Sequence, residues 1–276
     1  MDKRRGKPGQ PSARSRNGRI KMSTIGRFLE FAIETPNILE SLHFYKTLGF
    51  TELECSDVFT HKYAVVSDGE LNIGLHDRES KSPAVTFVQQ DLATHARSMA
   101  DHGYDFDFLQ LHEDAFNELG FTDRDGHAVM MVEARTFNMT EDAENDSACG
   151  SWFELSLPVR DTVRAAQFWA PVAQTVLEVR EEPTMHMRFD ATGVALGLSE
   201  SIALKAPSLC FRNPDRHGLM GLMEQGGFDY DKYPGYEGAY VAIKAPEGTT
   251  LFVFEEDFLG ESYEVDESSD TADFPG

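Results

Sequence analysis

Two glutamates occupy the same place in a duplicated chain. Glu30 and Glu154 stand 124 residues apart, each in a short segment where small or acidic residues alternate with large apolar ones. Alternation of period two marks a strand with one buried face. Glu30, Ala32 and Glu34 then share one face and Phe31, Ile33 and Thr35 the other, while Glu154 and Ser156 oppose Phe153, Leu155 and Leu157. With the apolar sets packed beneath helices, both carboxylates turn toward the concave side. A carboxylate set among aromatic and thioether groups is withdrawn from water, which suits it to act as a general base or to receive a cationic ligand. Glu30 and Glu154 are therefore the candidate catalytic bases.

A ligand pocket is expected around them. Tyr63 and His186 occupy equivalent places in the two halves, and His186, flanked by Met185 and Met187, faces away from both. Met130 and the pair Phe252 and Phe254 lie on the last strand of each half and complete the expected pocket of Tyr63, Met130, His186, Phe252 and Phe254. His61, His76 and His127 also lie on or beside strands, where a hydrogen-bonded structural role is the ordinary one.

The elements that position these residues are legible because the chain repeats itself. Gly103-Tyr-Asp-Phe-Asp107 recurs as Gly227-Phe-Asp-Tyr-Asp231, and Ser41-Leu-His-Phe-Tyr45 answers to Ala165-Ala-Gln-Phe-Trp169. Such an offset signals duplicated units. Within each half a strand, an Asn or Asp, and a helix follow one another twice, with Asn37, Asp91, Asp161 and Asp215 at the N-cap places. The helices are predicted over 39–48, 92–102, 163–172 and roughly 216–225, with Gly49, Gly103 and Gly227 as stops. Paired strands follow, and each half closes on an apolar strand after Asp125-Gly126 or Glu247-Gly248. The expected class is α+β, built from βαβββ units used four times.

Composition bounds the partners. A net charge of −22 argues against nucleic acid, and no apolar run approaches the ~20 residues of a membrane span. Residues 1–22 carry eight Lys or Arg against one acid and almost nothing apolar, so they are expected to be a disordered basic leader. The rest divides into a first domain over 23–138, a linker over 139–148, a second domain over 149–260 and an acidic disordered tail over 261–276. Cys55, Cys149 and Cys210 show no paired spacing, against a disulfide framework or a thiolate zinc site. A cytoplasmic protein is expected, a monomer or homodimer whose partner is a small molecule.

The run from Glu30 through Pro36-Asn37, Ser41, Phe44-Tyr45 and Gly49-Phe50 resembles the opening of vicinal oxygen chelate (VOC) proteins: glyoxalase, bleomycin-resistance proteins and extradiol dioxygenases. Asp123-Arg-Asp-Gly126-His127 resembles the turn before that family's last strand, and Asp161, Phe168-Trp169 and Ala245-Pro-Glu-Gly248 match more loosely. The resemblance covers about residues 26–258 and implies paired βαβββ units whose sheets curl around a cleft. It also implies metal-ligand places at Glu30, Ala84, Glu154 and Ser208 on the first strands and at Gly74, Met130, Gly197 and Phe252 on the closing strands. Only the two glutamates there could bind a divalent cation, and a zinc or iron centre takes about three protein ligands. The expectation is a protein with no cofactor that binds a small organic molecule in an apolar cleft, as the bleomycin-resistance branch does. The alternative is a glyoxalase-related lyase or isomerase using Glu30 or Glu154 as base, with or without an atypically placed divalent metal. A domain kept for protein association, docking through the tail, is a third reading.

Overall fold

The computed structural model describes residues 25–112, 116–138, 147–170, 174–181, 184–202, 204–231 and 240–254. The expected leader and tail, and 139–146 of the expected linker, lie outside them.

Four βαβββ modules follow one another. The first is β1 (Arg27–Glu34), α1 (Ile38–Thr47), β2 (Thr51–Leu53), β3 (Tyr63–Ser67) and β4 (Asn72–His76); the second is β5 (Ala84–Val88), α2 (Leu92–Asp101), β6 (Phe108–Gln110), β7 (Glu118–Thr122) and β8 (Ala128–Val132). The third is β9 (Ser151–Pro158), α3 (Thr162–Trp169), β10 (Thr175–Arg180), β11 (His186–Asp190) and β12 (Ala195–Ser199); the fourth is β13 (Ser208–Arg212), α4 (Arg216–Gly226), β14 (Tyr230–Asp231), β15 (Tyr240–Lys244) and β16 (Thr250–Phe254). Modules one and two form a sheet of order β2-β3-β4-β1-β5-β8-β7-β6, and modules three and four repeat it as β10-β11-β12-β9-β13-β16-β15-β14. The two modules of each sheet meet through an antiparallel pair, β1 with β5 and β9 with β13.

Three of the four expected caps form. The side chains of Asn37, Asp161 and Asp215 accept from the backbone N–H of Glu40, Arg164 and Gly218. Asp91 does not cap α2: it takes the left-handed conformation (φ 55°) and makes no side-chain cap bond. Asn and Asp tolerate that conformation, so the same residue type serves here as a bend.

One core holds both halves together. The largest buried cluster takes Phe31, Phe44, Phe87 and Phe121 from the first sheet and its helices, and Leu155, Trp169, Phe189 and Phe211 from the second. Contacts between the halves repeat at equivalent positions. Tyr45 Oη donates to Glu247 Oε1 at 2.7 Å, and Trp169 Nε1 donates to Asp123 Oδ2 at 3.2 Å. Phe44 packs edge-on to Phe228 at 5.1 Å between ring centres, and Phe168 meets Tyr104 at 5.7 Å. Because both sheets turn their helix-bearing faces into this core, the opposite faces point away from each other. Their smaller clusters draw on one half each: Leu29, Leu53, Val65, Val132 and Phe137 in the first, and Phe153, Cys210, Ala242 and Phe252 in the second. The concave hollows are two, not one.

A bulge shapes each hollow. Registry between β1 and β5 shifts between Phe28 and Glu30, and that between β9 and β13 shifts at Cys210/Phe211. The extra residue, Leu29 or Phe153, turns to the same side as the glutamate that follows it, as a bulge permits. Phe153 was expected beneath the helices; it lies instead in the concave cluster with Phe252.

Candidate functional site

In the first hollow Glu30 is buried, 2% exposed, and both its oxygens are engaged. Tyr63 Oη donates to Oε2 at 2.5 Å, and His76 Nε2 lies 3.1 Å from Oε1. A carboxylate only accepts, so His76 carries its proton on Nε2 and presents Nδ1 as an acceptor. His61 Nε2 stands 2.9 Å from that Nδ1 and donates to it. Since Tyr63 gives its proton to Glu30, Thr136 Oγ1, 2.9 Å away, donates to Tyr63. Two chains of donors thus run inward and end on one acid. Their order comes from strand pairing: Tyr63 and His76 are opposite one another on β3 and β4, and β4 lies beside β1.

The carboxylate sits in a notch. A Cβ on Gly74 would lie 2.4 Å from Glu30 Cδ, and one on Gly197 would lie 2.4 Å from Glu154 Oε1. Glycine at these two equivalent places makes room for an acid on the neighbouring strand.

Burial, then the Glu30 carboxylate it donates to, holds the Tyr63 phenol well above its ordinary pKa. Burial, then the neighbouring His76 and Arg78, lowers His61 to about 4. Protein groups also close over this face. Phe59 meets Phe116 at 5.5 Å between ring centres, Arg78 Nη1 reaches Glu118 Oε1 at 3.4 Å, and Cys55 bridges Phe137. Met130 faces the same side beside Ala32, Ala84 and Ala128.

In the second hollow Glu154, 3% exposed, accepts from His186 Nε2 at 3.1 Å. Ser199 pairs with His186 where His76 pairs with Tyr63, so one imidazole is present instead of an imidazole and a phenol. Phe252, Phe254 and Tyr240 form an aromatic wall with ring centres 5.6 to 6.2 Å apart. Arg188 and Arg212 each bring a guanidinium to 4.0 Å from the centre of the Phe153 ring.

The structure therefore pairs Tyr63 with Glu30 and His186 with Glu154, and sets Met130 on one concave face and Phe252 and Phe254 on the other. Sequence reasoning passed over His61 and His76 as structural and missed Thr136, Phe153 and the arginines. Alternation along β4 carried a signal for His76, which shares a face with Gly74. His127 has a structural role: its Nε2 lies 2.7 Å from the Pro158 carbonyl oxygen. A surface depression of ≈ 660 Å³ beside Lys46, Phe50 and Glu54 shares Leu53 with the first hollow's cluster and includes none of the predicted site residues.

No protein-family model matches the sequence, and no curated protein matches it. Solved structures do match. A homoprotocatechuate 2,3-dioxygenase variant from Brevibacterium fuscum aligns over 84% of this chain and 71% of its own, at 14% identity and a TM-score of 0.56. The enzyme of that name from Arthrobacter globiformis aligns over 84% and 80%, at 13% identity and 0.57. The 2,3-dioxygenase LapB from Pseudomonas sp. KL28 aligns over 85% and 93%, at 10% identity and 0.55.

This likeness corrects one expectation. Extradiol dioxygenases use an iron or manganese ion, so the expected absence of a cofactor does not stand. The residues at the family's ligand places nevertheless do not fit such an ion. They are Glu30, Gly74, Ala84 and Met130 in one half and Glu154, Gly197, Ser208 and Phe252 in the other. Among the described residues no three His, Cys, Asp or Glu side chains gather as an ion would require. Nor, among those residues, is any helix long and apolar enough to cross a membrane. Sheet order, doubled modules and the matched structures lead to one conclusion: the chain has the vicinal oxygen chelate fold, as two fused domains.

Proposed function

We propose that this protein sequesters a small organic molecule in the concave hollow of a VOC domain, in the manner of the bleomycin-resistance branch. The observation that supports it is the make-up of the second hollow, a buried Glu154–His186 pair beneath the wall of Phe153, Tyr240, Phe252 and Phe254. Apolar walls supply contact area, and a few fixed polar groups set orientation. On this reading residues 23–138 and 149–260 are the two domains, each with its own hollow, and the protein is a cytoplasmic monomer or homodimer. The free cysteines suit a reducing compartment.

A thermal-shift screen of small aromatic and heterocyclic compounds tests the proposal. A ligand should raise Tm in a concentration-dependent way, and Phe252→Ala should weaken it about ten-fold or more, the loss of one well-packed aromatic contact. Failure of every member of a broad library to move Tm overturns the proposal.

The donor chains converging on Glu30 favour a second reading, a glyoxalase-related lyase or isomerase with Glu30 or Glu154 as base. Turnover abolished by Glu30→Gln or Glu154→Gln, with ligand binding retained, would establish it.

A further inference from the structure

The first hollow is closed by the chain itself. Past β8 the backbone crosses the concave face and pairs with the residues just beyond β2. Ser56 N–H donates to the Thr136 carbonyl at 2.8 Å, Asn138 N–H donates to the Glu54 carbonyl at 2.9 Å, and Cys55 faces Phe137 between them. Thr136 meets Tyr63, and Phe137, 2% exposed, fills the cluster of Leu29, Leu53 and Val65. This strap covers a sheet edge as well as a hollow, which removes an open row of backbone donors and acceptors.

The internal repeat gives the strap a counterpart. Ser208 is opposite Thr250 as Ala84 is opposite Ala128, so β16 is the equivalent of β8 and Phe254 takes the place of Val132. The bond that ends each ladder agrees: Gln89 N–H donates to the Val132 carbonyl and Asn213 N–H to that of Phe254. Residues 133–138 (Glu-Ala-Arg-Thr-Phe-Asn) therefore answer to 255–260 (Glu-Glu-Asp-Phe-Leu-Gly), which lie outside the described residues. Phe258 and Leu259 stand for Thr136 and Phe137. On the receiving side Val65 and Arg188 each pair with the notch glycine, Gly74 or Gly197. Leu53 pairs with Val65 and Glu178 with Arg188, so Val179, Arg180 and Glu181 take the places of Glu54, Cys55 and Ser56.

That receiving edge is long and apolar. β10 has six residues against three in β2, and among the described residues no strand pairs with its outer edge. Val176, Leu177 and Val179 are 56%, 48% and 51% exposed there, where β2 presents Thr51 and Glu52. Such an edge recruits another strand. A segment tethered three residues past β16, the spacing that serves the first strap, meets it at an effective concentration of order mM, above that of a separate molecule. We propose that residues 257–260 form a second strap on β10, with Leu259 opposite Arg180 and Phe258 over the Glu154–His186 pair. The chain's own end then supplies part of the wall of the second hollow, beside Phe153 and Phe252. The strap's place follows from the repeat and is independent of what the hollow binds.

Cys55 and Phe137 face each other between two flanking bonds, the closely spaced kind of pair that suits a disulfide. In the full chain, Arg180→Cys with Leu259→Cys should therefore join within one molecule on mild oxidation. Its yield should be about ten-fold or more that of Arg180→Cys with Ser269→Cys, a position farther along the same tether. Peptide mass mapping separates this bond from any made by Cys55, Cys149 or Cys210. Hydrogen exchange provides a measurement without new cysteines. The Glu181 amide, counterpart of the Ser56 donor, should exchange about ten-fold or more faster in Leu259→Asp than in the parent, with the Ser56 amide unchanged. Disulfides joining two molecules would seat a second copy on β10 and overturn the proposal. Equal yields from the two cysteine pairs, or unchanged exchange at Glu181, also overturns it. None of these outcomes bears on whether the hollow takes a small molecule.

Discussion

Glu30 gains its character from neighbours that all donate to it. His61 lies at the outer end of one donor chain, and its lowered pKa of about 4 has a consequence for stability. The unfolded chain binds a proton at this imidazole near the ordinary value of ~6.5, and the folded chain resists it. Between those values the unfolded state holds more protons, so folding stability is greatest above pH 6.5 and falls as pH drops toward 4. Many carboxylates titrate in the same range, and a comparison isolates the effect. His61→Gln should flatten the pH dependence of the urea midpoint between pH 6.5 and 4, measured against the parent protein. Identical slopes would show that His61 is not held neutral by its surroundings.

Among the strands, the informative residues are glycines without unusual backbone angles. Gly74 on β4 and Gly197 on β12 leave the space that Glu30 and Glu154 occupy from β1 and β9. Gly74→Ala must push the carboxylate away from Tyr63 and His76, at about 1–3 kcal/mol for overpacking a filled site. The cost should fall sharply when Glu30→Ala is already present, because the clash partner is gone, whereas independent sites would give additive costs. Denaturant unfolding of the two single variants and the double variant decides between them. The bulges at Leu29 and Phe153 belong to the same design: each places two consecutive side chains on the concave face, so that an acid sits beside a large apolar group.

The assembled molecule is held by contacts that the duplication makes in pairs. Tyr45 grips Glu247 and Trp169 grips Asp123, and both bonds cross from one half to the other. Glu247 is half-exposed and Asp123 is buried, so water can replace the phenol but not the indole. Tyr45→Phe should cost about 0.5–1.5 kcal/mol and Trp169→Phe more, since a buried acceptor stripped of its donor costs about 1–3 kcal/mol and lost volume adds to it. Calorimetry should show one unfolding transition in the parent, because a single core spans both sheets. Two resolved transitions would mean that the halves stand independently.

What the sequence determined by itself was the repeat and nearly everything periodic. The βαβββ order, three helix caps, the last strands Ala128–Val132 and Thr250–Phe254, and the inward aim of both glutamates are local properties of alternation and capping. Short edge strands such as β2, β6 and β14 carry too few residues to show a period. The donor chains could not be read, because Thr136 and Tyr63 meet across 73 residues and His61 reaches Glu30 only through His76. The separation of the two hollows followed from both helix faces sharing one core. The counterpart of the strap at Cys55 and Phe137 emerged only when strand register aligned β16 with β8 and β10 with β2. Which side chains share a face is local, but which of them meet depends on pairing between distant strands, and packing alone fixes that.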